Sequence, residues 1–143
     1  MEYLLVSACI FGNNTKYNGG NNYNPLIEKL KDKYNIILCC PEVDGGLSIP
    51  RNPSEVLNGK VISSEGLDVT KEFKLGAKMA LDLVNKYNIK KALLKDGSPS
   101  CGKNYIYDGT FTKTKVNKMG ITASLLKDAG VTIYTENDIE ELL

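Results

Sequence analysis

Three of the four cysteines in this 143-residue chain stand at or just beyond the ends of short apolar runs. Cys9 follows Tyr3-Leu4-Leu5-Val6-Ser7-Ala8, and Cys40 closes Ile36-Ile37-Leu38-Cys39. Cys101 lies in Lys95-Asp96-Gly97-Ser98-Pro99-Ser100-Cys101-Gly102, directly after Ala92-Leu93-Leu94. Runs of this kind read as strands buried on both faces. A doubly wound α/β sheet binds ligands in the crevice beyond the carboxyl ends of its parallel strands, so thiols remote in sequence can meet there. Three thiolates form a soft donor set that suits an iron-sulfur cluster, zinc or copper(I), and three ligands leave one coordination position open for a substrate atom. Cys39 differs: it lies inside its strand with its side chain directed opposite to that of Cys40, which assigns it to the core.

Histidine is absent. No Ser-His-Asp triad, Cys-His pair or Cys/His zinc site can be built, so proton transfer falls to carboxylates, Lys, Tyr, thiol or water. Glu42 is the leading candidate, because Pro41 holds it two residues from Cys40; a pKa raised by partial burial would mark a functional carboxyl. Ser98 and Ser100 flank Pro99 beside Cys101, where their hydroxyls either meet a substrate or satisfy turn backbone groups. Lys16, Tyr17 and Asn18 form a polar group after the first strand that is either an ordinary surface loop or a contact to a planar ligand. Gly19-Gly20 and Gly45-Gly46 match no phosphate-binding fingerprint, and Asp96 and Asp108 read as turn builders.

Eighteen basic against 17 acidic side chains give a net charge of +1, which points neither to a nucleic-acid surface nor to an acidic lipid surface. No basic segment leads into an apolar stretch at the N-terminus, and no run of about 18 apolar residues occurs anywhere, so neither export nor membrane spanning is expected. The chain reads as cytoplasmic, where cysteines serve metal binding or catalysis rather than disulfides.

Positioning these residues requires alternating strands and helices. Strands are expected at 3–8, 36–40, 92–94 and 131–134. A helix with Asn24 at its N-cap and Pro25 in its first turn runs to about Tyr34-Asn35. The apolar spacing of Phe73, Leu75, Ala77, Ala80, Leu81 and Val84 predicts a long helix from Asp68 or Thr70 to Tyr87-Asn88. Another helix spans 121–127 before Gly130, and 136–142 form a short terminal one. Residues 10–23 and 96–117 read as loops. Residues 41–67 read as a long functional loop, anchored by Val43, Leu47, Ile49, Val56 and Leu57, with a small strand at Val61-Ile62. The expected fold is therefore α/β, a Rossmann-like three-layer sandwich over residues 1–143 as a single domain, with a mostly parallel sheet of about four strands. The expected strand order is two-one-three-four, which puts Cys9 centrally.

The ordered set Ser7-Ala8-Cys9, Lys16-Tyr17-Asn18-Gly19-Gly20, Cys40-Pro41-Glu42, Gly45-Gly46-Leu47, Pro50-Arg51, Asp68-Val69-Thr70, Gly97-Ser98-Pro99-Ser100-Cys101-Gly102 and Tyr107-Asp108-Gly109-Thr110-Phe111 resembles the TudS-type thiouracil desulfidases, formerly a domain of unknown function. The likeness runs from about residue 3 to 134. It implies a [4Fe-4S] cluster on Cys9, Cys40 and Cys101 with one open iron. It also implies non-redox removal of sulfur from a thiolated pyrimidine such as 2-thiouracil, giving uracil and sulfide. Glu42 would then be the acid-base group and Ser100, with Ser98 second, would orient base or water, with Lys16, Tyr17 and Asn18 on the substrate. The chain departs from the family where Lys16-Tyr17-Asn18-Gly19-Gly20-Asn21 replaces Arg-Tyr-Asp-Gly-Gly-His, which removes a charge at position 18.

A free base, a nucleoside and a thiolated tRNA nucleotide all fit this reading, and the neutral charge balance favours a small molecule. Two rival readings use the same thiols: a non-catalytic iron-sulfur or zinc module for sulfur handling, and a thiol-redox protein using Cys39-Cys40. The vicinal pair lacks the C-x-x-C spacing that redox chemistry favours.

Overall fold

The computed structural model describes all residues, 1–143. In chain order the elements are β1 (Tyr3–Ser7), α1 (Ala8–Phe11), α2 (Ile27–Lys33), β2 (Asn35–Cys39), α3 (Pro41–Asp44), β3 (Ser54–Leu57), β4 (Lys60–Ser63), α4 (Thr70–Tyr87), β5 (Lys91–Leu94), β6 (Ile106–Tyr107), β7 (Lys115–Val116), α5 (Ile121–Asp128) and β8 (Thr132–Thr135), with a closing 3-10 turn at Ile139–Leu142. The four long apolar runs pair in parallel as β2-β1-β5-β8, the order expected from the sequence.

Alternation along the strands builds two cores. Leu4 and Val6 of β1 and Leu93 of β5 face Ile10, Ile27, Leu30, Ile139 and Leu142. Leu5, Ala92 and Leu94 face the other way, onto Ala80 and Val84 of α4 and Ala123 and Leu126 of α5. Helices on both faces of a parallel sheet make the three-layer α/β sandwich, in which every central strand is buried on both sides. No helix is long and apolar enough to cross a membrane.

Three differences from the sequence reading bear on the site. The segment after β1 does not enter its loop at once: Ala8–Phe11 form a helical turn that carries Cys9, closed by Gly12 at φ 112°, whose N–H donates to Ala8 and Cys9 carbonyls. The excursion after β2 contains a β3–β4 hairpin turned by Asn58-Gly59, both with positive φ, the pairing a type I′ turn requires. Ile49 and Leu57, expected as anchors there, are 40% and 47% exposed. The loop after β5 folds into a second small hairpin, β6–β7.

Candidate active site

The carboxyl ends of β1, β2 and β5 open into one cavity of about 610 Å³, and Cys9, Cys40 and Cys101 all line it. Cys9 is held in α1, its carbonyl accepting from Asn22 N at 2.9 Å and its thiol bonded by the Asn22 side chain. Cys40 joins β2 to α3. Its N–H donates to Asp44 Oδ2 at 3.1 Å, and its thiol lies 3.9 Å from the Thr15 carbonyl. Cys101 is buried in the turn after β5, its N–H donating to Ser98 Oγ at 3.0 Å and its thiol meeting the Ser7 side chain at the end of β1.

Burial pushes the pKa of all three thiols up, that of Cys101 to about 12; charge repulsion adds to it, from Cys40 at Cys9, from Cys9, Glu42 and Cys40 at Cys101, and from Glu42 at Cys40. A thiolate at one position raises the pKa at another only if they share a site. Cys39, at the end of β2, belongs to the core beside them and also borders the cavity; it is buried, and desolvation holds its thiol well above the ordinary value.

Glu42 reaches the cavity from α3, which is seated by an unusually close backbone crossing. A Cβ on Gly76 of α4 would collide with Pro41 O, and one on Gly45 with Glu72 O. The two glycines therefore let the turn carrying Cys40 and Glu42 lie directly on α4. Burial raises the Glu42 pKa, against the opposing pull of Arg51 and the Ser98 hydroxyl. Arg51 is the residue that sequence reasoning passed over. Its side chain is only 8% exposed; Nε donates to Glu42 Oε1 at 3.2 Å, Nη2 to Thr15 O at 2.9 Å and Nη1 to Ser48 O at 3.2 Å. One guanidinium thus ties the segment after α1 and the loop after α3 to the carboxylate.

The two serines separate. Ser98 lines the cavity, and its Oγ accepts the N–H groups of Ser100 and Cys101. Ser100, expected as the leading hydroxyl, is fully buried away from the cavity lining, and its Oγ is paired with Thr122 Oγ1 at 2.7 Å. It stitches the turn to α5, whose first turn also donates Thr122 and Ala123 N–H groups to the Ser100 carbonyl. Lys16 and Tyr17 line the cavity, whereas Asn18 does not: its Oδ1 accepts Gly20 N at 2.9 Å and closes a turn.

Asp96 builds the turn under Cys101, accepting from Gly97, Lys103 and Asn104 N–H groups. Asp108 does the same for Thr110. Lys95 pairs with Glu136 at 2.7 Å and contributes a positive field at Cys9. Thr15 lines the cavity with a buried hydroxyl that has no partner.

These residues fit an iron-sulfur cluster. The donors are three soft thiols, the cavity leaves room for a planar substrate beside them, and an orphaned hydroxyl borders the space. No three Cys, Asp or Glu groups close on one point as a single metal ion requires.

The chain is similar in sequence and fold to known proteins. The family model described as 2-thiouracil desulfurase matches residues 4–138. The uncharacterized protein YbbK of Bacillus subtilis strain 168 is 37% identical over 150 aligned positions, covering 98% of this chain and 99% of that one. The solved structure of the [4Fe-4S]-dependent thiouracil desulfidase TudS superposes with a TM-score of 0.94 at 39% identity, over 99% of this chain and 95% of that one.

Proposed function

From the premise that this chain belongs to the 2-thiouracil desulfurase family, we propose that it is a [4Fe-4S]-dependent desulfidase. It converts a thiolated pyrimidine such as 2-thiouracil, with water, to uracil and sulfide. The observation that carries the reading is the convergence of Cys9, Cys40, Cys101, Glu42 and Ser98 on one cavity at the carboxyl edge of the sheet. Cys9, Cys40 and Cys101 are the ligands we assign to the cluster. When bound through three thiolates, the cluster supplies a thiophilic Lewis acid at its remaining iron.

The exchange of a carbon–sulfur for a carbon–oxygen bond moves protons but no net electrons, so this chain's own task is proton handling and orientation. Glu42 holds a proton to higher pH than an ordinary carboxyl, which suits a group that must both give and take one near neutrality. Its base form takes a proton from the attacking water, and its acid form returns one to a ring nitrogen or to the departing sulfur. Ser98 Oγ already accepts two backbone N–H groups, so its own O–H is free to donate, either to Glu42 or to substrate. That reverses the order expected from sequence, in which Ser100 led. Lys16 and Tyr17 border the cavity mouth and are assigned to substrate binding; Asn18 is not.

The test is anoxic purification and reconstitution, with iron and acid-labile sulfide counted per chain and sulfide and uracil measured after addition of 2-thiouracil. About four irons and four sulfides per chain, as a cubane cluster contains, together with stoichiometric product, are expected. Glu42→Ala should keep the iron and lose turnover by about 100-fold or more, the usual scale of acid-base catalysis. A loaded protein that releases no sulfide would leave only a cluster-carrying module.

A further inference from the structure

We infer that Phe111 is the wall on which the planar ring of the substrate stacks, and that Glu55 is the residue that positions it. The inference rests on the desulfidase reading for the identity of the ring, and on the β6–β7 loop for everything else. Phe111 lines the same cavity as the thiols and is 40% exposed, an apolar ring turned to open space. Of the three other cavity aromatics, Tyr17 stands on the loop after α1, and two are already engaged: Tyr105 packs edge-on to Tyr107, with ring centroids 6.0 Å apart, and carries Lys115 over its face at 4.4 Å. Phe111 has neither an aromatic nor a cationic partner, so its π face is unoccupied.

The backbone places it there at a cost. Phe111 has φ 58° and Lys113 φ 60°, in the left-handed region that bulky side chains avoid. Strain of this kind persists only where surrounding contacts over-determine it. Here they do. Glu55 Oε1 on β3 accepts Gly109 N at 2.9 Å and Phe111 N at 3.1 Å, so one carboxylate oxygen holds both ends of the turn that presents the ring. Gly109, at φ 95°, packs so tightly on β3 that a Cβ there would stand 2.6 Å from Leu57 Cβ. Asp108, Thr110, Thr112 and Thr114 complete the loop with a chain of side-chain hydrogen bonds from 2.6 to 2.8 Å. A strapped, strained loop that ends in an unpaired aromatic ring over a reactive cavity is a stacking platform for a flat heterocycle.

The experiment compares wild type, Phe111→Leu, Phe111→Trp, Phe111→Gly, Glu55→Ala and Glu55→Gln, each with its cluster content measured. The readouts are kcat and KM for 2-thiouracil, Kd for unreactive uracil by calorimetry, and Tm. Loss of base stacking predicts that Phe111→Leu weakens uracil and raises KM by about 5- to 150-fold, with kcat within about twofold and iron unchanged. Phe111→Trp restores binding. Phe111→Gly gives the same weakening with Tm equal to or above wild type, since it relieves the left-handed strain.

Glu55→Ala should raise KM as Phe111→Leu does, and Glu55→Gln, which keeps an acceptor oxygen for both N–H groups, should restore it. Wild-type uracil affinity in Phe111→Leu overturns the stacking role, and a Tm fall in Phe111→Gly marks the ring as packing instead. Wild-type KM in Glu55→Ala overturns the positioning role. A loaded wild type that binds uracil but releases no sulfide sinks the desulfidase reading while the uracil affinities still decide the case of Phe111.

Discussion

Asp96→Asn should loosen the turn that carries Cys101 and be measurable as a pH-dependent loss of stability. Asp96 is 5% exposed, and its Oδ1 accepts the N–H groups of Gly97, Lys103 and Asn104, each at 3.0 Å, while Oδ2 accepts Asn104 Nδ2 at 2.8 Å. Burial alone would raise its pKa, but the donors of Asn104, Lys103 and Gly97 outweigh it, so the folded value lies below the ordinary one. A hydrogen bond to a charged acceptor is worth about 1 kcal/mol more than one to a neutral acceptor. Asparagine keeps an oxygen for the three backbone donors but loses about 3 kcal/mol of this increment, and its amide then faces the Asn104 amide, donor against donor.

A total of about 3–4 kcal/mol corresponds to a Tm fall of about 10 °C in a chain of this size. Because the folded pKa is depressed, the stabilisation is fully present above the unfolded value of about 3.9 and disappears as pH falls through the folded one. Thermal unfolding of wild type and variant, in the same cluster state from pH 7 down to pH 3, should show a constant gap that begins to narrow only below about pH 4. A variant within about 0.5 kcal/mol of wild type at pH 7 would refute the reasoning, as would a gap that persists undiminished at pH 3. The variant should also hold less iron, since the loosened turn is the one that presents Cys101.

Arg51→Ala removes the countercharge from a carboxylate that is 17% exposed and frees two loops, so kcat for 2-thiouracil should fall at least about tenfold. Arg51→Lys should recover only part, because a single ammonium cannot reproduce three donors in a fork; full kcat in the alanine variant would dismiss the clamp. Cys9→Ser, Cys40→Ser and Cys101→Ser should each abolish stoichiometric iron, while Cys39→Ser, placed in the core, should keep it; the assay is iron per chain after anoxic reconstitution. In cluster-free protein the raised thiol pKa values keep these cysteines protonated at pH 7, so iodoacetamide labelling followed by mass should be slow and should accelerate with pH. Cys9 and Cys40 should react first and Cys101, pushed to about 12, last; rapid neutral labelling of Cys101 would contradict the burial argument. Gly76→Ala drives a methyl into Pro41 O, and overpacking against backbone should cost about 2–3 kcal/mol and displace the Cys40-Glu42 turn, seen as lowered Tm and lowered iron together.

The parts of the fold governed by periodicity were legible before any coordinates. The continuous apolar run of β1 and the regular alternation of strand and helix specify a parallel sheet with both faces covered, and the spacing from Phe73 to Val84 locates α4 to within two residues of its start and one of its end. What periodicity does not encode was misread in proportion. The β3–β4 hairpin left its signature in Asn58-Gly59, a two-residue turn between Val56-Leu57 and Val61-Ile62, but prolines and glycines on either side made the whole stretch look like loop. The helical turn at Ala8–Phe11 has no apolar stripe of its own, and its stop is a single glycine.

The same division runs through the site. The cysteines were visible because topology alone brings strand ends together, so standing in the segment just beyond a buried strand suffices to place a thiol at the crevice. Arg51, Asn22, Thr15 and Glu55 act through loop closure: each bonds a segment at least nine residues away in sequence, across backbone whose path no local pattern dictates. Ser98 and Ser100 show the limit most sharply. They have equal composition and equal distance from Pro99, yet the turn that begins at Pro99 leaves Ser98 facing Glu42 and sends Ser100 behind it to Thr122. A hydroxyl whose oxygen accepts two backbone N–H groups has a fixed oxygen and a free proton, and that is the donor geometry proton transfer needs. Ser98 has it; Ser100, sharing its one hydrogen bond with another hydroxyl in the core, does not.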